Sequence, residues 1–137
     1  MRTTLLLLAM SLLLGACGGS DDSNTGYQGA TSSGTFFVKV ATSPAPIPLN
    51  ETFSADVAVY DSHDQTLMLD DVDVVLDGEM PQHGHGMSVQ PTASKNSDGS
   101  VHVDGMLFHM PGTWKLHVDV TRQNETERAT FDVVLEP

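Results

Sequence analysis

The sequence contains a single cysteine, Cys17, in 137 residues. One thiol cannot form an intramolecular disulfide, so a disulfide-stabilised scaffold is excluded. Zinc sites built from several thiolates are excluded for the same reason. A metal site in this chain therefore has to use imidazole, carboxylate or thioether ligands.

Basic residues are also scarce. Six lysines and arginines stand against eighteen aspartates and glutamates, which gives a formal net charge of −12. Such an acidic chain repels phosphate backbones and anionic lipid head groups. We therefore expect no nucleic-acid partner, and membrane attachment by charge is excluded.

The sequence has no apolar run long enough for a membrane span. Residues 5–14 are apolar and follow Arg2, but a spanning helix needs roughly 20 apolar residues. The run ends in Leu-Gly-Ala-Cys at residues 14–17, which looks like the lipobox of bacterial lipoproteins. We predict a lipoprotein signal peptide at residues 1–16 and acylation of Cys17, of the palmitate type, as the membrane anchor. The alternative is an ordinary secretory signal with an incidental cysteine.

The segment after the cysteine is rich in glycine, serine, aspartate and asparagine. We interpret residues 17–34 as the lipidated cysteine with a flexible tether, and residues 35–137 as one folded domain. Gly18 rather than aspartate follows the cysteine, as in lipoproteins that are passed on to the outer membrane. The expected location is therefore the cell envelope, at the outer membrane or the periplasmic face of a membrane.

Apolar and polar residues alternate with a period of two from Thr35 onward, and no stretch has a helical period. The clearest example is residues 52–59, in which Phe53, Ala55, Val57 and Val59 form one face. Short strands separated by turns about every ten residues predict an all-β fold. We expect an immunoglobulin-like antiparallel β-sandwich of seven to eight strands.

The alternation changes phase inside one predicted strand. Val101 and Val103 would face inward at odd positions, whereas Phe108 faces inward at an even one. The phase change falls at residues 104–105, where Gly105 favours a β-bulge. His109 would then face away from the core.

Two segments are rich in histidine and methionine, residues 80–87 and 106–114. In an extended run, His83, His85 and Met87 would point to one side, because side chains two residues apart share a face. The intervening glycines would leave the backbone free to bend around an ion. A hairpin folded about Ser97 would place His85 opposite His109 and Met87 opposite Leu107, and a bulge would bring Met106 into reach.

These donors predict a metal site. Thioethers suit Cu(I), and imidazoles suit copper in either oxidation state as well as zinc. The predicted ligands are His83, His85 and Met87, with His109 and Met80 as candidate fourth ligands; Met106 is the remaining candidate. Copper, as Cu(I), is the favoured ion, and zinc bound through the histidines with Asp77 or Glu79 is the alternative. The other histidines are expected to be solvated.

The run from Gly99 to Val118, with Met-Pro-Gly-Thr-Trp at residues 110–114, resembles the second half of the YtkA-like family. These are secreted or lipid-anchored bacterial domains related to FixH-like proteins. Met80-Pro81 and the loop after it are similar to another shared segment of that family. The resemblance implies the sandwich fold, an extracytoplasmic location and an association with copper handling or oxidase assembly. A membrane oxidase or a copper-transport protein is the partner that it implies.

The sequence shows no catalytic constellation. Nucleophilic cysteine, a serine in an elbow context and paired carboxylates near the histidines are all missing from the pattern. We therefore expect a binding protein rather than an enzyme. The leading hypothesis is a lipid-anchored copper chaperone or scavenger; the alternative is a metal-free immunoglobulin-like lipoprotein that docks on a membrane complex.

Overall fold

The structure is a computed structural model that describes residues 26–137. The predicted signal peptide, the acylated Cys17 and the first part of the tether lie outside the described residues. Within residues 26–137, no helix is long and apolar enough to cross a membrane.

The described residues form an all-β sandwich of two antiparallel sheets, which confirms the predicted fold class, although they contain nine strands rather than the seven to eight expected. Strands β1, β2, β3, β7 and β6, in that order, make one sheet, and β5, β4, β8 and β9 make the other. The strand bounds are β1 Gly26–Ala30, β2 Phe36–Ser43, β3 Thr52–Asp61, β4 Asp73–Met80, β5 His85–Gly86, β6 Thr92–Lys95, β7 Val101–Leu107, β8 Gly112–Arg122 and β9 Glu125–Leu135. A short 3-10 turn, Pro81–His83, precedes β5.

The core lies between the sheets and follows the alternation of the sequence. Strand β4 shows the rule most clearly, since its residues alternate between exposed and buried over its whole length. The largest fully buried side chains are Trp114, Phe108, Met80, Met106 and Leu116. Met80, Trp114 and Leu116 lie where β4 ends and β8 begins, and Phe108 stacks on Trp114 there.

The sandwich starts earlier than predicted. Residues 26–34 were assigned to the flexible tether, but Gly26–Ala30 form β1 and pair with β2. The Tyr27 ring packs on Phe131 of the other sheet, with 5.8 Å between ring centroids. A Cβ at Gly29 would lie 3.2 Å from the Phe131 ring, so glycine permits this close approach. A glycine-rich composition is compatible here with an edge strand, because backbone hydrogen bonds need no side chain.

The predicted bulge at residues 104–105 is confirmed. Phe53 pairs with Met106 and Ala55 pairs with Val103, so two residues of β7 lie opposite one residue of β3. Gly105 has a φ of 81°, in the left-handed region that glycine adopts readily. Because of the bulge, Met106 joins Val103 on the buried face of β7.

The hairpin between β6 and β7 is also confirmed, with its centre one residue later than expected. Lys95 pairs with Val101, which centres the turn on Asp98 rather than Ser97. Residues 67–69, between β3 and β4, form no strand, and only an isolated bridge joins Met68 to Tyr60 there.

Candidate metal-binding rim

The segment from Met80 to Met87 is not one extended run. Pro81–His83 form a 3-10 turn, and Gly84 ends it in the left-handed conformation with φ 66° and ψ 30°. The backbone N–H of Gly84 donates to the Met80 carbonyl at 3.1 Å. The expected alternation of His83, His85 and Met87 on one face is therefore wrong, since His83 lies in the turn.

After the turn the chain folds back on β4 and does not pair with the end of β7. Met80 pairs with His85 and Glu79 pairs with Gly86, so His85 shares the inner face with Met80. The Met87 N–H donates to the Gly78 carbonyl at 3.2 Å, which continues this register. The predicted ladder partners, His109 for His85 and Leu107 for Met87, are therefore wrong.

Three imidazoles nevertheless lie in a row at this end of the sandwich. The ring centroids of His83 and His85 are 5.8 Å apart, and those of His85 and His109 are 5.3 Å apart with 30° between the ring planes. His83 is exposed, while the other two are half-buried. The two histidine-containing segments thus meet through side-chain stacking rather than through a shared ladder.

Trp114 forms the wall behind this row. Its ring lies edge-on to both His85 and His109, at 5.9 and 5.5 Å between centroids. It stacks on Phe108 at 4.6 Å with 2° between the planes, and its Nε1–H donates to the Met110 carbonyl at 2.9 Å. The contact of Trp114 with the imidazoles was not indicated by the sequence.

The ring nitrogens differ in their partners. The Nδ1 of His85 lies 3.1 Å from the Gly86 carbonyl, which can accept a hydrogen bond only from a protonated Nδ1. That tautomer leaves the Nε2 lone pair available. In the part of the chain that the structure describes, the Nδ1 of His109 is buried and has no hydrogen-bond partner. A buried polar atom without a partner costs stability, which is a common feature of functional sites.

The candidate methionines occupy three different environments. Met80 is buried on the same face as His85, its methyl group against Gly112. Met87 is half-buried and lies over Gly78. Met106 is fully buried and pairs with Phe53 of the neighbouring strand. Met80 and Met87 therefore share the inner face with His85, whereas Met106 belongs to the opposite sheet.

The spacing of the imidazoles is compatible with a shared ion, although the rings are not yet aimed at one point. Nitrogen ligands about 2 Å from a metal at tetrahedral or trigonal angles place neighbouring ring centroids about 5 to 5.5 Å apart. The rings of His85 and His109 match this spacing but stack on each other. Among residues 26–137, no three His, Cys, Asp or Glu side chains already form a metal-binding group. The rings of His85 and His109 thus have a suitable spacing, but both would have to rotate to bind one ion.

Glu79 lies on the outer face of β4, so it is not available to the histidine rim that His83, His85 and His109 form. Its carboxylate lies 3.0 Å from Nε2 of His117, and the Nδ1 of His117 lies 3.0 Å from the Thr130 hydroxyl. His117 was expected to be solvated, but it is buried. The neighbouring strands β4 and β9 cover it on both sides, which the sequence of β8 alone does not reveal. Zinc ligation by the rim histidines together with Glu79 is not supported by this arrangement.

Comparison of the chain with protein-family models, with curated proteins and with solved structures finds no match.

Proposed function

We propose that this protein is a lipid-anchored, extracytoplasmic copper-binding module that holds one Cu(I) ion among His83, His85 and His109. The observation that supports the proposal best is the contact of His85 with His109, at 5.3 Å between ring centroids. It brings together imidazoles 24 positions apart in the sequence, one from β5 and one from the loop between β7 and β8. The Nδ1 of His109 also supports the proposal, because it is buried without a hydrogen-bond partner among the described residues and could coordinate a metal ion.

The donor chemistry favours copper. Imidazole nitrogen and thioether sulfur are neutral ligands, and thioether sulfur is soft enough to select Cu(I). Met80 is the sulfur donor closest in register, since it lies directly opposite His85 in the β4–β5 ladder. Side chains in such pairs have Cβ atoms about 5 Å apart. Met87, two residues after His85, is the second thioether on that face.

The exposure of the rim suits transfer of the ion. His83 is exposed on a short turn, so an incoming ligand from a partner can reach the ion from solvent. The acyl chains proposed at Cys17 would keep the module at the membrane, where a copper-transport protein or an oxidase is the proposed partner. This assignment agrees with the resemblance to the YtkA-like family.

The proposal is tested by titration with Cu(I) against a chelator of known affinity. The His83→Ala/His85→Ala variant and the single His109→Ala variant should each bind at least about tenfold more weakly, because ligand loss is expected to cost at least as much as loss of a group supporting a ligand. Met80→Leu keeps the volume of the core and should also weaken binding. Circular dichroism establishes that each variant is folded.

The matched control is His63→Ala/His102→Ala, which removes two imidazoles elsewhere. His63 is on an exposed turn, and His102 pairs with Asp56 on the outer face of the other sheet. This control should bind Cu(I) like the wild type. Wild-type affinity in the rim variants, or no Cu(I) binding by the wild type, would rule out the proposed site.

A further inference from the structure

Strand β4 has an open edge over most of its length. Its neighbour β5 pairs only with Glu79 and Met80, although β4 begins at Asp73. On its other side, β4 is fully paired with β8 from Asp73 to Glu79. The described residues therefore leave the first part of this edge without a neighbouring strand.

The register identifies which backbone groups face the open edge. The carbonyls of Gly78 and Met80 accept hydrogen bonds from the β5 side. Residues two apart in a strand orient their backbone groups alike. The N–H and C=O groups of Val74 and Leu76 therefore also point to this edge. Among residues 26–137, they have no backbone partner in a ladder or a turn. Such a row of groups is a template for an added strand.

Beside this edge, a cleft of about 450 Å³ opens between the two sheets. Its walls combine apolar side chains, chiefly Val74, Leu76, Met87, Val89, Ala93 and Val103, with the polar residues Asp77, Gln90 and Asp119. An added strand would direct every second side chain into this cleft. Because Val74 and Leu76 of β4 are apolar on this inner face, the edge favours apolar residues at alternate positions of the partner.

The outer face of the same edge is acidic. Asp73, Val75, Asp77 and Glu79 follow one another along it, all exposed, with Val75 exposed to 60%. The remaining side chains of an added strand would lie directly opposite these residues. Opposite charges at such positions stabilise a pair of strands, whereas like charges destabilise it. The outer face therefore favours lysine or arginine in the partner.

We propose that the β4 edge binds an extended segment of a partner protein in which basic and apolar residues alternate. The acidic outer face argues against a second copy of this chain as the occupant. Antiparallel pairing of two β4 strands about Val75 would set Asp73 opposite Asp77 twice. This cleft shares Met87 with the proposed copper site but none of its histidines, and binding at the β4 edge does not depend on copper.

Lys95 limits the open edge at the end where β4 begins. Lys95 of β6 donates from its Nζ to the Val72 carbonyl at 3.2 Å and to the Asp70 carbonyl at 2.5 Å. The lysine therefore occupies the carbonyls that precede β4. The partner segment is confined to the stretch between Lys95 and β5, which has room for a short strand only.

The test uses a peptide of about seven residues that alternates lysine with valine, within the usual length of a strand. Binding is followed by NMR on the metal-free protein, with hydrogen exchange measured at every backbone amide. The expected result is slower exchange of the Val74 and Leu76 amides, by at least about tenfold at saturation. The same peptide with N-methyl groups on the edge-facing amides should not slow it.

Charge provides the second arm of the test. A glutamate-for-lysine peptide should not bind, and the Asp73→Asn/Asp77→Asn variant should bind the lysine peptide about 1.5- to 5-fold more weakly for each pair lost. Glu125→Gln, at the start of β9 and two strands away from β4, is the control and should bind normally. Unchanged exchange at Val74 and Leu76, or equal binding of both peptides, would overturn the proposal. Self-association that protects these amides without peptide would also overturn it, in favour of a second copy.

Discussion

Replacement of Gly78 by alanine tests how tightly the rim is coupled to the core. A Cβ at this position would lie 2.3 Å from Cε1 of Phe108 and 3.1 Å from Cγ of Met87. Met87 can rotate away, but Phe108 is held by stacking on Trp114 and by an edge contact with Phe53 at 5.3 Å. Phe108 would have to move by about 1 Å to reach ordinary contact distance.

The loss of unfolding free energy caused by Gly78→Ala is the difference between two opposing effects. Overfilling a packed core costs typically about 1–3 kcal/mol. Replacing glycine by alanine restricts the unfolded chain and returns about 0.4–1 kcal/mol where the backbone is compatible. The φ of Gly78 is not in the left-handed region, so this gain applies here. The expected net loss is about 1–2 kcal/mol of unfolding free energy, or several degrees in Tm for a domain of this size.

Urea denaturation followed by far-UV circular dichroism measures this loss. The decisive control is the same change in a Phe108→Leu background, in which the ring that meets the new methyl group is gone. There Gly78→Ala should cost less than about 0.5 kcal/mol, so the double-mutant cycle should give a coupling energy of at least about 0.5 kcal/mol. Equal losses in both backgrounds would refute the packing argument.

Two further predictions concern other parts of the fold. Gly112 has a φ of 121°, and a Cβ there would meet only the flexible methyl end of Met80, at 2.6 Å. Gly112→Ala should therefore destabilise the folded protein by about 1–3 kcal/mol through backbone strain. Urea denaturation should show the same loss in a Met80→Ala background, whereas removal of Phe108 should reduce the loss caused by Gly78→Ala. At Glu127, burial raises the pKa, but hydrogen bonds from Thr31 and Thr35 outweigh it and hold the pKa below its ordinary value of 4.5. A lowered carboxyl pKa means that the ionised side chain stabilises the folded state, so Glu127→Gln should be less stable than the wild type at neutral pH. Denaturation at several pH values should show this difference in stability disappearing as the pH falls through the folded pKa of Glu127. A difference that persists in strong acid would contradict the prediction.

The sequence alone predicted the fold class and one irregularity within it. Apolar and polar residues alternate with a period of two over most of the domain, and this pattern is typical of strands. The buried face of β3 consists of the residues that the alternation indicated. The bulge at Gly105 was predictable because a change of phase within one strand requires an extra residue.

The local structure of the candidate site was not predictable in the same way. A pattern of histidines separated by glycines does not distinguish an extended run from a 3-10 turn, since glycine adopts both conformations. The pairing of β5 with β4 rather than with the end of β7 is decided by packing between sheets. The contact between His85 and His109 was anticipated, but through the wrong geometry, because side chains from separate loops stack without sharing a ladder.

Trp114 is the only tryptophan in the chain, and its ring lies edge-on to two of the rim imidazoles. Indole emission from this protein therefore comes from one side chain, which has Phe108 stacked on one side and the imidazoles of the rim on the other. The wavelength of that emission should consequently report on whether the interior beside the rim has opened to water.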